Sequence, residues 1–221
     1  FLDDDMRPLP NWVEEHVSFH QKYPGGIVTG GLKEEVKPDS PEIIRYKSYL
    51  SDKWTSELRN QNAGVPLQAD QIFVTAANCS VTSHTFFEVG GFDNRLHDAE
   101  DYDFAYRAFL KSIPLYFHYQ AFAWHDDNIS FRSYILRLRQ YTEAQERLVL
   151  LKPNLYANGT KYSVHKPHGI KGMVFSLFAR RYWIKWADGN SWLKILPRKL
   201  RYRLYDMLVT ANGTFFPERL I

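Results

Sequence analysis

Phe1-Leu2-Asp3-Asp4-Asp5 opens the 221-residue chain. A short apolar run that ends in carboxylates reads as the C-terminal end of a buried strand. Strands of a parallel sheet are ordinarily preceded by a helix and other strands, so Phe1 is not expected to be the natural start of the domain. Downstream the pattern alternates. Pro10-Asn11-Trp12-Val13 opens a helix, with Pro near its first turn. Gly25-Gly26-Ile27-Val28-Thr29-Gly30-Gly31-Leu32 reads as turn, short strand and turn. A helix is expected from Glu42 to Arg59, a strand over Gln71–Ala76, and a short helix from Ser83 to Val89 that Gly90-Gly91 closes. A helix from about Asp98 to Lys111, a strand at Leu115–Tyr119 and a long helix from Ile129 to Leu151 follow. Helices and strands in alternation predict an α/β layered domain.

The composition agrees with a soluble globule: 44% apolar and 24% charged residues. Whole-chain disorder is excluded on that basis. A single cysteine, Cys79, excludes an internal disulfide framework and a Cys-based zinc site. No apolar run reaches the roughly 18–20 residues needed to cross a bilayer, and the first residues do not read as a signal peptide. Charge divides unevenly. Residues 1–164 carry 17 Lys/Arg and 22 Asp/Glu, a net of −5; residues 165–221 carry 11 and 3, a net of +8. An acidic body can hold a cation, and a basic tail suits an anionic surface. The end of the long helix at Leu151 and the loop-like stretch 152–168, rich in Asn, Gly, Pro and His, set expected domain boundaries at 1–151 and 152–221.

Three stretches carry candidate chemistry. If Asp3-Asp4-Asp5 ends a strand, Asp3 and Asp5 share one side, at the sheet edge where ligands collect. Such a pair suits a hard divalent ion that keeps some waters and also takes phosphate oxygens; a solvated acidic turn explains the run equally well. Asp98 is positioned to cap the next helix. Glu100 and Asp101 then fall in its first turn, where the helix dipole favours their charge. A carboxylate held ionised there can act as a general base of low basicity, and Asp103 reads as dipole complementation alone. Trp124-His125-Asp126-Asp127 ends a hydrophobic stretch, which brings an imidazole toward the same edge as Asp5. A mixed oxygen and nitrogen set suits Mn²⁺ or a permissive Mg²⁺ site.

Taken in order, these stretches resemble GT-A glycosyltransferases, family 2 in particular. Leu2-Asp3-Asp4-Asp5-Met6 with Pro10-Asn11-Trp12-Val13 is similar to their Asp-x-Asp region. Gly90-Gly91-Phe92-Asp93, then Glu100-Asp101-Tyr102-Asp103-Phe104, is similar to their Glu-Asp segment, and Trp124-His125 to their late metal-binding histidine. Chondroitin polymerase and the β-1,4-galactosyltransferase group carry the nearest pattern. The resemblance spans about residues 1–127.

The resemblance implies a fold and a set of roles. The fold is a GT-A-like mixed sheet flanked by helices, without the N-terminal nucleotide-binding half and with a helical basic C-terminal extension. Asp5 and His125 would bind a divalent cation, Mn²⁺ or Mg²⁺, at the diphosphate of a nucleotide sugar such as a UDP-sugar. Asp3 would touch the ribose or assist the metal, Glu100 would hydrogen-bond a sugar hydroxyl, and Asn78 would contact the donor sugar. Asp101 would deprotonate the hydroxyl of a glycan or lipid-linked acceptor, with inversion at the anomeric carbon, in surface polysaccharide synthesis. Before Glu100 this chain has Asn94-Arg95-Leu96-His97-Asp98-Ala99 in place of the Trp- and Gly-rich stretch of galactosyltransferases, so donor specificity does not transfer. Without the first half, a non-catalytic carbohydrate- or nucleotide-binding remnant is the competing reading, and a metal-dependent phosphohydrolase a third.

The tail interleaves apolar and cationic residues. Gly172 to Ala179 is followed by Arg180-Arg181-Tyr182-Trp183-Ile184-Lys185-Trp186. Lys194, Arg198, Lys199, Arg201 and Arg203 then alternate with Trp192, Leu193, Ile195 and Leu196. Short helices of this kind over 170–203 suit either the anionic inner face of a membrane, which would make the protein cytoplasmic and peripheral, or a helical subdomain packed on the core. No nucleic-acid-binding motif accompanies the charge. Asn78, Asn128, Asn158 and Asn212 fit the glycosylation acceptor pattern, which is too short to imply secretion.

Overall fold

The computed structural model describes residues 1–189, 193 and 195–216, so Trp192 and Lys194 of the basic tail lie outside the described residues. The chain divides into two compact units, Phe1–Asp127 and Asn128–Ile221. This division puts the long helix of residues 131–151 in the second unit.

The first unit is α/β. Its sheet comprises β1 (Met6–Pro8), β2 (Ile27–Glu34), β3 (Cys79–Val81) and β4 (Leu115–His125) in the order β1-β4-β2-β3. β2 and β4 are parallel, and the outer pairings are antiparallel, so the sheet is mixed. Helices α1 (Trp12–Lys22) and α2 (Glu42–Asn60) cover it. Side chains alternate along β4. Tyr116 and His118 face Phe19 of α1, with ring centroids 5.3 and 5.0 Å away. Tyr119 points to the other side, where the Arg59 guanidinium of α2 lies 4.3 Å from its ring. Phe19, Val28 and Tyr116 form a buried cluster, each side chain contributing roughly 1.5–3 kcal/mol of burial.

Helix α3 (Ser83–Val89) is capped by Thr82, whose hydroxyl accepts from the Thr85 N–H at 3.1 Å, and it stops at Gly90, φ +95°. Helix α4 (Glu100–Leu110) follows. Phe92 meets Phe86 and Phe104 edge to face and so joins the two helices, and Phe1 packs tilted against Phe92, 5.1 Å away. Asp98 does not cap α4. Its φ is +64°, and Ala99, which has no side-chain acceptor, takes the cap position. Asp103 is wholly buried. It takes the Arg107 Nε–H at 2.8 Å, while the same guanidinium donates to the carbonyls of Val89 and Gly91 at 2.7 and 2.6 Å. Asp103 therefore ties α4 to the α3 turn, a stronger role than dipole complementation.

Three further expectations are corrected. Phe1-Leu2 is not the end of a strand: Leu2 makes one isolated bridge to Asn78, and β1 begins after the carboxylates rather than before them. Gly30-Gly31 does not end β2. These glycines lie inside it because a Cβ on Gly30 would meet the Ala121 carbonyl and the Asn78 amide, and one on Gly31 would come within 2.6 Å of the Tyr119 carbonyl. Gln71–Ala76 is not a strand. A 3₁₀ turn covers Ala69–Gln71, and the following segment buries Ile72 and Val74 in alternation without a ladder, held by the Thr29 hydroxyl on the Phe73 carbonyl at 3.1 Å.

The second unit is helical in its described residues: α5 (Phe131–Leu151), α6 (Gly169–Phe178), α7 (Arg181–Gly189) and α8 (Arg198–Thr210), the last running into a π-turn at Ala211–Phe215. Ser130 and Ser133 form a reciprocal cap at the start of α5, and Asp188 accepts from the Phe131 N–H at 2.7 Å. Its core includes Phe131 against Tyr205, 4.5 Å apart, with Ile135, Leu148 and Leu208 buried. Residues 152–168 contain no helix or strand.

Candidate functional site

Strand register assembles the first half of the site. His125 ends β4, opposite Met6 of β1 on one side and opposite Glu34 of β2 on the other. The main chain locks the corner, because the Asp126 N–H donates to the Asp5 carbonyl at 2.9 Å. The imidazole then lies between two carboxylates. Its Nε2 is 3.2 Å from Asp5 Oδ2, and its Nδ1 is 3.5 Å from Glu34 Oε1. Asp5 is exposed and His125 half-buried, while Glu34 is buried.

Glu34 was not among the residues singled out from sequence, and it organises this corner. Lys47 Nζ of α2 lies 3.2 Å from Glu34 and also pairs with Asp127, and the Ser51 hydroxyl donates to Glu34 at 3.0 Å. Burial opposes its ionisation, but the His125 imidazole and the Lys47 charge outweigh that and hold its carboxyl at about 2. Glu34 in turn raises the His125 imidazole from its usual value against the effect of burial. Outside this corner, Arg7 bridges Asp126 at 2.9 Å and Glu35 at 2.7 Å.

Asp101 belongs to a second group. Its carboxylate takes the Tyr102 N–H at 2.6 Å and is also bonded by the main chain of Ala76. Burial pushes its carboxyl up to about 6, aided by the neighbouring charge of Glu100 and against those hydrogen bonds. The dipole argument expected the opposite, an acid held ionised at low basicity; desolvation wins here. Glu100 folds back to accept the Ala99 N–H at 3.1 Å.

The two groups share the N-terminal turn. Asp3 donates its N–H to the Ala77 carbonyl at 3.3 Å, next to the residue that bonds Asp101, and Phe1 packs on the α3–α4 aromatic cluster. Asp5, two residues on, faces His125. Residues 3–5 form a turn ahead of β1 rather than a strand end, so the strand spacing expected to turn Asp3 and Asp5 the same way does not apply.

Asn78 is committed elsewhere. It is fully buried, its Oδ1 accepts from Trp12 Nε1 at 2.9 Å and His16 Nε2 at 3.2 Å, and its Nδ2 donates to the carbonyls of Gly31 and Ala121 at 2.8 and 2.9 Å. All four amide positions are used, which leaves no side-chain bond for a donor sugar. Because Oδ1 only accepts, His16 carries its proton on Nε2, and its Nδ1 accepts from the Ser80 hydroxyl at 2.7 Å. Burial lowers His16 to about 4, so it is neutral. Asn78→Ala is expected to destabilise the fold by about 3 kcal/mol, since it strands buried donors and carbonyls together. A denaturant titration checks this, and a loss within the error of the fit would contradict it. Asn212 is also fully buried, so neither asparagine is presented as a glycosylation acceptor.

Asp5 and His125 can offer a cation one oxygen and one nitrogen. No group of three or more His, Cys, Asp or Glu side chains that could hold a metal ion occurs among the described residues. The pair fits a cation that keeps most of its shell as water and substrate oxygen, rather than a closed protein cage.

No family model matches the chain. A pre-mycofactocin glycosyltransferase of Mycobacterium tuberculosis is 25% identical over 154 residues, which cover 70% of this chain and 32% of the relative. The corresponding protein of a second strain of that species matches to the same extent. The aligned part thus spans about a third of the length of the curated relatives. The chain is accordingly a distant relative of a glycosyltransferase over most of its length.

Proposed function

We propose that this chain carries the catalytic edge of a metal-dependent, inverting glycosyltransferase of GT-A type, which moves a sugar from a nucleotide-sugar donor to an acceptor hydroxyl. The observation that carries the reading is Asp101 at the start of α4, a carboxyl pushed up to about 6 by burial and bonded by the main chain of Ala76, next to Ala77, whose carbonyl holds the N-terminal turn that presents Asp5 to His125. The glycosyltransferase relationship supports it.

In this reading Asp101 accepts the proton of the acceptor hydroxyl as the hydroxyl oxygen bonds to the anomeric carbon. The bond from that carbon to the phosphate oxygen breaks on the opposite face, and the nucleoside diphosphate departs with the electron pair. Asp5 and His125 would hold a divalent cation, Mn²⁺ or Mg²⁺, which when bound neutralises charge on the leaving diphosphate. Asp3 is left as a contact to the ribose or metal, and Glu100 to a sugar hydroxyl. A UDP-sugar donor, a glycan or lipid-linked acceptor, and a cytoplasmic site of surface polysaccharide synthesis complete the proposal.

Isothermal titration of UDP into the full-length protein, with Mn²⁺ and then with chelator, tests it. Binding that requires the metal and is lost in His125→Ala is the expected result. Equal binding with and without metal would remove the cation from the scheme. No binding in either condition would favour a non-catalytic remnant, and release of phosphate from a simple ester would favour a phosphohydrolase.

A further inference from the structure

We propose that α6 and its junction with α7 form a docking surface for an anionic lipid bilayer, lying in the interface rather than crossing it. This does not depend on glycosyl transfer. No helix among the described residues is long and apolar enough to span a membrane.

Helix α6 reads Gly169-Ile-Lys-Gly-Met-Val-Phe-Ser-Leu-Phe178, a strongly apolar segment, yet none of its residues is buried. Its inner side is used: Phe175 packs on Phe215 at 4.9 Å, and Phe178 on Trp183 at 5.2 Å. The remaining large apolar residues, Ile170, Met173, Val174 and Leu177, follow the i, i+3, i+4, i+7 spacing of one helical face. They are 81, 68, 37 and 59% exposed. A contiguous stripe of this kind costs hydration free energy in water and marks an interaction surface.

Charge selects the partner. Between residues 165 and 189 the chain has Lys166, Lys171, Arg180, Arg181 and Lys185 against one acid, Asp188, and Asp188 is engaged with the N–H groups that start α5. All five basic residues are exposed. At the end of α6 an open depression is lined by Ala179, Arg180, Arg181 and Tyr182. Two guanidinium groups beside an exposed tyrosine suit a phosphate headgroup above an apolar layer. A second copy of this chain fits poorly, because a two-fold contact through the stripe would set each cationic rim against itself. An apolar face rimmed by Lys and Arg matches the acyl boundary and headgroups of anionic lipid together.

Co-sedimentation of the 221-residue chain with vesicles tests this. Binding is expected on phosphatidylcholine mixed with phosphatidylglycerol, weaker on phosphatidylcholine alone, and reduced at high salt. Ile170→Ser with Leu177→Ser should weaken partitioning about tenfold or more. Arg180→Glu with Arg181→Glu should abolish the preference for the anionic vesicles. Circular dichroism melts of both variants should match the parent, since these side chains are exposed. Absence of parent binding to anionic vesicles would overturn the proposal, as would a serine variant that partitions like the parent. A parent dimer that the serine changes convert to monomer, seen by sedimentation velocity, would reassign the stripe to self-association.

Discussion

On the proposed reading, Asp101→Asn is expected to lower sugar transfer about 10³-fold, within the range for loss of a positioned general base, while metal-dependent nucleotide binding stays nearly intact. The same substitution should make the protein more stable. The carboxyl has a reference value of 3.8 and is raised by burial to about 6 in the folded chain. Between those two values the native chain holds a proton that the unfolded chain has released. Stability therefore falls as pH rises across that window, and the deficit is complete above about 6. An asparagine has no proton to lose, so at neutral pH the variant should gain on the order of 2 kcal/mol. Higher stability with lost turnover is a pattern that a merely structural residue would not produce. The rate of the parent protein should fall about tenfold for each pH unit below about 6, as the base protonates. A pH–rate profile with no inflection there, or a variant that loses binding and turnover equally, would remove Asp101 from the base role.

How much of this was legible in the residues differs by the kind of force involved. Helices α1 to α5 could be read closely, because their periodicity and stops are local: Gly90 at the end of α3 is a left-handed cap that sequence alone identifies. The strands were less legible. Ile72 and Val74 alternate like a strand and are buried like one, but the position beside β2 is taken by β3. Alternation reports burial, not pairing. Gly30-Gly31 looked like a turn because glycine usually is one. Here it admits the Asn78 amide to the sheet, a long-range requirement with no local signature.

The same distinction holds at the site. Asp5 with His125 was legible as two residue types at two sheet ends, and the β1–β4 register brings them to 3.2 Å. Asp101 was legible as a residue but not in its electrostatics. Its helix position argues for an ionised acid, whereas its desolvation beside the main chain of Ala76 argues for a protonated one, and desolvation is a property of the fold. Asn78 was misread for a similar reason. Its place after an apolar run matches a loop contact, while its four internal bonds come from α1, β2 and β4. Glu34 was invisible, since the strand was expected to close at Gly30-Gly31, whereas β2 runs on to Glu34. Only the parallel register of β2 and β4 sets Glu34 beside His125.

That register makes Glu34 the residue whose loss should be felt most widely. Glu34→Ala removes a buried carboxylate shared by His125, Lys47 and Ser51. Lys47 is itself largely buried, with a side chain 12% exposed, and would keep Asp127 as its acidic partner. Breaking such a buried pair costs about 3–5 kcal/mol, so the alanine variant is expected to lose about 4 kcal/mol and can fall below the folding threshold of a marginal domain. Glu34→Gln keeps the volume and the Ser51 hydrogen bond but withdraws the charge, and is the variant to assay. Both ring nitrogens of His125 face carboxylates, which only accept; a cation at Asp5 would displace the Nε2 proton and leave the neutral tautomer whose Nδ1–H points to Glu34. Without the Glu34 carboxylate, the ring has no anionic acceptor to select that tautomer. On the proposed reading, Mn²⁺-dependent nucleotide binding should weaken 10–100-fold in Glu34→Gln, with circular dichroism still reporting a folded chain. His125→Ala combined with Glu34→Gln should then bind no more weakly than His125→Ala alone, because Glu34 acts through the imidazole. Losses that simply add would show that Glu34 holds the strand ends together and does not position His125, whereas an unchanged metal dependence in both variants would place the cation elsewhere.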